Sequence, residues 1–368
     1  MRQMMNKSKA EFGHILHHYW EWMIATYLFL GGLGGGTLAM TAILAFFVYP
    51  EASVSVQLAC AWPCFIALVA IAIGLVLLVL DLGQPLVFYR AFVKSTSVIA
   101  WGARVLTVAF VFGAIWWLSF IPWDWFAPVA NFLAIFRDFC LALAGIGGIC
   151  VVLYTGIFLS SLKAHSFWAT PALPVLFTIS ALSTTCALIA ISIGWWPMDI
   201  NYQVINESNL SMFYQYAALG DMTAATLYNN YVVIEAIKHL LHIVDVILVV
   251  CEIVVLLVMV LSFLGAGNET QNKAAHRWVD GSWKYFFWVG MIGIGLVIPE
   301  CLYIGLPGTM GSEVIAPIMV LIGGCLLRFL IVYSDDRQPL PGEKIYYGRL
   351  VGDDAEFLHK WTYGKNIF

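Results

Sequence analysis

The sequence carries little charge for its length. Asp, Glu, Lys and Arg make up 11% of the 368 residues, whereas soluble globular domains contain about 25%. Hydrophobic residues make up 61%, and the mean hydropathy is +0.86. This composition excludes a soluble globular protein and indicates a membrane protein. The net charge of −4 leaves no basic surface to displace phosphate counterions, which excludes a nucleic-acid-binding protein.

The cysteine pattern offers no ligand ladder for an iron–sulfur cluster. The eight cysteines include no CxxC pair, and each lies within or at the end of an apolar run. We interpret them as packing residues, because a free cysteine behaves as a small hydrophobic side chain. The first apolar run, Met23–Tyr49, is too long for the core of a signal peptide, so we expect no cleavable signal.

The sequence contains long apolar runs. A helix needs about 20 apolar residues to cross the bilayer core, and eight runs reach this length. They predict an all-α, polytopic membrane domain over residues 1–334, followed by a polar cytoplasmic tail over residues 335–368. The eight runs are Met23–Tyr49, Leu58–Leu80, Ile99–Phe120, Phe139–Leu162, Pro171–Trp196, Val233–Leu264, Tyr285–Leu306 and Val314–Tyr333.

The basic residues are distributed unevenly between the two sides of the predicted bundle. Of the 18 Lys and Arg residues, all except Arg137 and Lys238 fall on the side of the two termini. Arg328 is counted on that side as well. Because cytoplasmic loops retain Lys and Arg, we expect both termini to lie in the cytoplasm and the protein to lie in the cytoplasmic (inner) membrane.

Five motifs along the sequence, each short by itself, together resemble one family. They are Trp20-Glu21-Trp22 ahead of Tyr27–Gly32, the Asp81-Leu82-Gly83-Gln84-Pro85 turn, Tyr154-Thr155-Gly156, Pro174-Val175-Leu176-Phe177, and Ile322–Arg328 ahead of Val332-Tyr333. In their order and their spans they resemble the NrfD/polysulfide reductase C family of membrane subunits. The resemblance implies eight helices in two four-helix bundles and a quinone-reactive subunit that holds no redox metal. It also implies a ferredoxin-like iron–sulfur partner and a catalytic subunit, often a molybdopterin oxidoreductase.

The histidines are consistent with a protein that holds no haem. A membrane haem needs axial ligands from facing helices, and His239 and His242 are the only histidines within a predicted span. They lie three residues apart on one helix and cannot ligate one haem from opposite faces. We therefore expect neither haem nor an iron–sulfur cluster in this protein. We expect electrons to pass through a quinone, and menaquinone is the quinone we expect.

Polar residues predict a quinone site at the ends of the first four spans that lie on the same side as the two chain termini. A quinone needs an apolar slot, donors at its carbonyl oxygens and groups that exchange protons. We assign acid–base roles to His18, Glu21 and Asp81, and quinone contacts to Tyr27, Gly35, Asp81, Arg104, Tyr154 and Trp168. The resemblance supports Tyr27 and Tyr154 in particular.

Several of these residues also have a structural interpretation. The glycines around Gly35 could serve helix packing instead of ligand approach. Asp81 could cap its turn and pair with Arg90 or Arg104. Tyr154 and Trp168 could be interfacial side chains, because Tyr and Trp are enriched at the membrane surface.

The sixth span carries ionisable residues on one face. Glu235, Lys238, His239, His242, Asp245 and Glu252 recur at helical spacings over about 25 Å. Charged groups inside a membrane are costly and usually functional or paired. The face is interpreted either as a proton path or as a set of paired structural charges, and Glu300 of the seventh span could join either arrangement.

The sequence thus predicts the quinone-binding membrane subunit of a respiratory oxidoreductase, with an iron–sulfur partner on the cytoplasmic side. The alternatives are a proton- or ion-translocating channel or transporter subunit, and a non-catalytic membrane anchor. The long connection 197–231, rich in aromatic residues, is interpreted as an interfacial cap or as a docking surface for another subunit.

Overall fold

The computed structural model describes residues 21–81, 98–121, 123–162, 167–194, 210–219, 222–266 and 268–334. Within these ranges every regular element is helical, in agreement with the predicted all-α fold. His18 and the tail over residues 335–368 lie outside them. Glu21 and Asp81 are the first and last residues of two helices, and their side chains lie outside the description.

Eight helices in the described ranges are long and apolar enough to cross a membrane, which confirms the predicted count. They are α1 (Glu21–Ile43), α3 (Ala61–Asp81), α4 (Val98–Leu118), α6 (Arg137–Ser160), α7 (Ala172–Ser192), α9 (Met222–Ala266), α11 (Ile298–Gly305) with the π-helical stretch Phe286–Val297 before it, and α12 (Ala316–Tyr333) with the π-helical stretch Gly311–Ile315 before it. Shorter helices are α2 (Ser53–Ala59), α5 (Ala127–Ala134), α8 (Leu210–Ala218) and α10 (Glu269–Val279). The protein is a multi-pass membrane protein.

Two prolines mark the places where wide helical turns give way to α-helix. Pro299 and Pro317 each occupy the second position of an α-helical segment, directly after a π-helical stretch. A proline has no N–H to donate, and its ring clashes with the carbonyl group four residues earlier. The wider turn accommodates that ring while the backbone stays helical, which a segment inside a membrane requires.

Helix α1 lies at the centre of the bundle and packs against α3, α6, α7 and α12. Its contact with α6 is close because glycines face each other, and a Cβ atom on Gly148 would lie 2.2 Å from the carbonyl oxygen of Gly35. Helix α7 packs against α9 and α12 and also against α1 and α6. Helix α7 therefore contacts helices from both halves of the sequence. The division of the eight helices into two four-helix bundles stays a prediction.

The two sides of the bundle need names. We call the side where α1 begins and α12 ends the terminal face, and the side where α3 and α6 begin the loop face.

Near the loop face, the fully buried Gln57 joins three helices. Its Nε2 donates to Asp138 Oδ1 of α6 at 2.8 Å, and its Oε1 accepts from Trp116 Nε1 of α4 at 2.9 Å. These bonds fix α2 against the ends of α4 and α6.

Candidate functional site

Two tyrosines predicted to contact a quinone lie close together near the terminal face. Tyr27 of α1 and Tyr154 of α6 both pack against Phe158, with ring centroids 6.2 and 5.8 Å from the Phe158 centroid. Both tyrosines are buried, with 3% and 7% of their surface exposed. The structure therefore brings two tyrosine rings that the sequence motifs singled out, from two helices, against one phenylalanine.

The position of Tyr154 depends on a glycine of α4. A Cβ atom on Gly102 would lie 1.9 Å from Tyr154 Cζ, so the phenol ring occupies the space where any other residue would place a side chain. The Tyr154 hydroxyl is buried and makes no hydrogen bond within the residues that the structure describes. A buried hydroxyl without a partner costs free energy, and the Tyr154 hydroxyl could donate a hydrogen bond to a ligand carbonyl oxygen.

Arg104 lies two residues beyond Gly102 on the same helix and is half-buried. Its guanidinium carbon lies 5.6 Å from the centre of the Trp101 ring. The ends of α1 at Glu21 and of α3 at Asp81 lie on the same face of the bundle. Arg104 thus also lies near the terminal face, and how the side chains of Glu21 and Asp81 are placed stays a prediction.

Two other predicted contacts have a packing role in the structure. A Cβ atom on Gly35 would lie 2.9 Å from Val151 Cβ, so this glycine lets α1 and α6 approach each other. The indole of Trp168 is buried and donates a hydrogen bond to the carbonyl oxygen of Ile331 at 2.9 Å. This bond ties the connection before α7 to the end of α12. Any quinone contact of Gly35 or Trp168 stays a prediction.

The ionisable residues of α9 meet partners from neighbouring helices. At the loop face, Lys238 Nζ lies 3.2 Å from Glu235 Oε1 and 3.9 Å from Glu313 Oε2. One turn deeper, the His242 ring stacks on Tyr303 of α11 at 4.6 Å. His239 is exposed on the outer surface of α9, so the structure separates it from the inward-facing members of the predicted set.

Two carboxyl groups follow deeper in the bundle. Asp245 is 1% exposed, and its Oδ1 accepts a hydrogen bond from Ser183 Oγ of α7 at 2.6 Å. Its Oδ2, like both carboxyl oxygens of Glu300, is buried without a hydrogen bond within the described part of the sequence. Asp245 interacts electrostatically with Glu300 and with Glu252. Glu252 is 2% exposed and interacts with Ser180 of α7.

We call this series the polar file. It consists of Glu235, Lys238, His242, Asp245 and Glu252 of α9, Ser183 and Ser180 of α7, and Glu300 and Tyr303 of α11. The sequence pattern indicated the α9 members and left Glu300 open. Tyr303 and the two serines were missed, because a tyrosine or serine in an apolar run resembles many other packing residues.

Arg328 lies inside the bundle, although its place near the end of the last span had put it with the basic residues of the terminal side. Its side chain is 1% exposed. Its Nη1 donates to Ser180 Oγ at 2.5 Å and to the carbonyl oxygen of Gly324 at 3.0 Å, and its Nη2 donates to the carbonyl oxygen of Phe177 at 3.3 Å. An arginine side chain on a helix leans toward the helix N-terminus, which turns this one away from the surface and toward Glu252.

Comparison with known proteins identifies relatives across most of the sequence. A family model described as polysulphide reductase, NrfD, matches residues 11–197 and 218–336. The C subunit of polysulfide reductase from Wolinella succinogenes is 26% identical over 332 residues, which cover 86% of this protein and 93% of the relative. Protein NrfD of Escherichia coli is 25% identical over 336 residues, 86% of this protein and 94% of the relative. A homologue of NrfD in Haemophilus influenzae is 25% identical over 348 residues, 87% and 95% of the two proteins.

Proposed function

The protein belongs to the NrfD polysulphide reductase family, and from this premise we propose that it is the quinone-binding membrane subunit of a respiratory oxidoreductase. The observation that carries the proposal is the buried Tyr154 hydroxyl, which makes no hydrogen bond within the described residues and lies near Tyr27 at the terminal face. Two phenol donors from facing helices could bind the carbonyl oxygens of one quinone ring. Menaquinone is the quinone we expect.

The other groups at this face supply charge and proton exchange. Arg104 of α4 carries a positive charge at the same face of the bundle as the tyrosines, and a positive charge near the ring favours electron density on a quinone oxygen. A quinone takes up two protons with two electrons, so acid–base groups must lie within reach of the ring. We assign this role to Asp81, Glu21 and His18 at the ends of α3 and α1.

The electrons would be exchanged with a ferredoxin-like iron–sulfur subunit, which in turn would serve a catalytic subunit. One relative is named as the C component of polysulfide reductase, which supports membership in a complex of several polypeptides. The proposed site lies at the terminal face, and a partner cluster must approach this face to exchange electrons with the quinone. The basic residues of the sequence favour the cytoplasm for that face.

The polar file is proposed as a route for protons that accompany quinone turnover, with Glu235, His242, Asp245 and Glu252 as carriers and His239 as a flanking residue. The same residues favour a second candidate function, a subunit that translocates protons or ions without binding quinone. A non-catalytic membrane anchor is the third. The three proposals differ in the expected effect of Tyr154 and Asp81 on quinone binding: only the first predicts that changing these residues lowers it.

The test measures quinone in the purified complex after lipid extraction. Tyr154→Phe removes one hydroxyl group and Asp81→Asn one acid, so each should lower both the co-purified quinone and the quinol-linked activity. Tyr214→Phe serves as the matched control, because Tyr214 is exposed on α8 near the loop face and should retain both. Wild-type quinone content and activity in Tyr154→Phe and Asp81→Asn would exclude this site and favour the channel or the anchor.

A further inference from the structure

The polar file occupies only part of the inner face of α9. Asp245 and Glu252 lie on this face, and the next residues on it toward the terminal face are Leu256, Met259 and Phe263. All five are at most 3% exposed. One continuous helix face is therefore ionisable from the loop face to Glu252 and apolar from there to the terminal face.

Helix α7 changes character at the same depth. Ser183 donates a hydrogen bond to Asp245, and Ser180 interacts with Glu252. The buried residues of α7 that follow toward the terminal face are Phe177, Leu176 and Leu173, each at most 1% exposed. Both helices that line the file thus offer proton-exchanging or hydrogen-bonding side chains on the loop side of Ser180 and hydrocarbon on its other side.

Arg328 lies at this boundary. Its guanidinium group bonds to Ser180 and to the carbonyl oxygen of Phe177, the last polar and the first apolar side chain of the α7 sequence just described. The group also lies over the Phe177 ring, 5.2 Å from its centre. A fixed positive charge repels an arriving proton, and arginine excludes protons from membrane pores in this way.

The opposite end of the file is open to the surroundings. The side chains of Glu235 and Glu313 are 41% and 44% exposed, and both lie within 4 Å of Lys238. His242 follows inward, stacked on Tyr303, and Tyr303 interacts electrostatically with Asp245 and Glu300. Ionisable groups therefore succeed one another from the loop face to Glu252.

We propose that the polar file is a half-channel that protons enter from the loop face and that Arg328 and the apolar residues beyond it close toward the terminal face. The inference rests on the proton route proposed above and adds its direction and its end point. Protons would reach Glu252 without crossing the bundle. Their end point lies beside α1, since a Cβ atom on Gly32 would be 3.9 Å from Arg328 Nη2, whereas Tyr27 lies on another side of the same helix.

A native thiol provides the test. Cys186 of α7 is 1% exposed and interacts electrostatically with Asp245 and Tyr303. The silver ion is a small monovalent cation that binds thiolates, so it can report which face has access to the file. Ag⁺ is added to one face of sealed vesicles that contain the full complex, excess ion is removed, and the unfolded protein is alkylated and analysed by peptide mass spectrometry.

A half-channel predicts loss of alkylation at Cys186 when Ag⁺ is added from the loop face and full alkylation when it is added from the terminal face. Cys60 and Cys64 serve as internal controls, because both are fully buried near the loop face outside the file and should remain alkylated. Absence of protection from the loop face would overturn the half-channel, whereas the proton route is tested by proton uptake in Asp245→Asn.

Two substitutions locate the closed end. Val249→Cys places a thiol between Asp245 and Glu252, and Met259→Cys places one beyond Glu252 on the same face. The first thiol should be protected from the loop face only and the second from neither face. Protection of the second thiol from the loop face would overturn the closure at Arg328 while leaving the proton route intact. Tyr154→Phe should leave the whole silver pattern unchanged, which separates this inference from the quinone site.

Discussion

The phenol ring of Tyr154 lies directly on the backbone of Gly102. No other contact in the described bundle places an aromatic ring closer to a glycine, since a Cβ atom there would lie within 2.4 Å of three ring carbons. The absence of a side chain on α4 thus determines where the hydroxyl group of α6 lies. A residue that touches no ligand can in this way determine the geometry of a binding site.

Gly102→Ala should displace the Tyr154 ring and lower quinone binding without removing any functional group. We expect a loss of co-purified quinone and quinol-linked activity as large as that of Tyr154→Phe, because both changes withdraw the same hydroxyl. Gly265→Ala is the matched control, because a Cβ atom at Gly265 meets nothing within 4 Å. Full activity of Gly102→Ala would show that the ring position does not matter.

Asp245→Asn keeps the shape of a buried side chain and removes its capacity to carry a proton. If the polar file serves quinone turnover, proton uptake by proteoliposomes should be lost while electron transfer continues in uncoupled membranes. Asp124→Asn changes an exposed carboxyl group between α4 and α5 and should affect neither. Normal proton uptake in Asp245→Asn would refute the route.

Arg328 and Glu252 should be coupled in stability. Arg328→Met leaves a buried carboxyl group without its nearby cation and removes three hydrogen bonds, so we expect a loss of about 3–5 kcal/mol, as when one partner of a buried pair is deleted. Adding Glu252→Gln should recover part of that loss. Thermal unfolding of the two single variants and the double variant in detergent measures the coupling, and strictly additive effects would show that the two residues act independently.

Gln57→Leu should loosen the loop face by leaving the Trp116 indole and the Asp138 carboxyl group without their shared partner. Asp138 is exposed and can be solvated, but the buried Trp116 indole left without its hydrogen bond costs about 1–3 kcal/mol, which should appear as a lower unfolding temperature. Gln215→Leu on the exposed surface of α8 should leave that temperature unchanged. The proposed quinone site lies at the other face, so quinone content per folded molecule should be unaltered.

The distribution of the basic residues predicts that both termini lie in the cytoplasm. We expect protease added to inverted vesicles to remove the tail over residues 335–368, and protease added to right-side-out vesicles to leave it intact. The reverse pattern would place the tail and the proposed partner surface outside the cell.

The eight spans could be predicted because their signal is length and composition, and the bilayer thickness sets both. The contacts between the spans could not. In a membrane, side chains that face lipid and side chains that face other helices are both apolar, so the sequence does not show that Gly102 faces Tyr154 or that Glu300 faces Asp245. Helical spacing placed His239 beside the inward residues of α9, whereas the structure turns it to the outer surface.

The inward position of Arg328 could not be predicted from the sequence either. Its distance from the end of the last span indicated a surface position, because long basic side chains near helix ends usually extend to the interface. The structure turns it inward, where Ser180 of α7 and the carbonyl oxygens of Phe177 and Gly324 hold it. Ser180 and Phe177 lie 148 and 151 residues away in the sequence, and the local sequence around Arg328 carries no information about them.

Helix α9 runs without interruption through 45 residues. At 1.5 Å per residue it is about 68 Å long, more than twice the roughly 30 Å of a bilayer core. Part of α9 therefore extends beyond the bilayer core, and near its first residues Tyr214 of α8 packs on Tyr228 at 5.6 Å. The helix that carries the polar file inside the bundle is therefore the same unbroken element that meets α8 beyond the bilayer core.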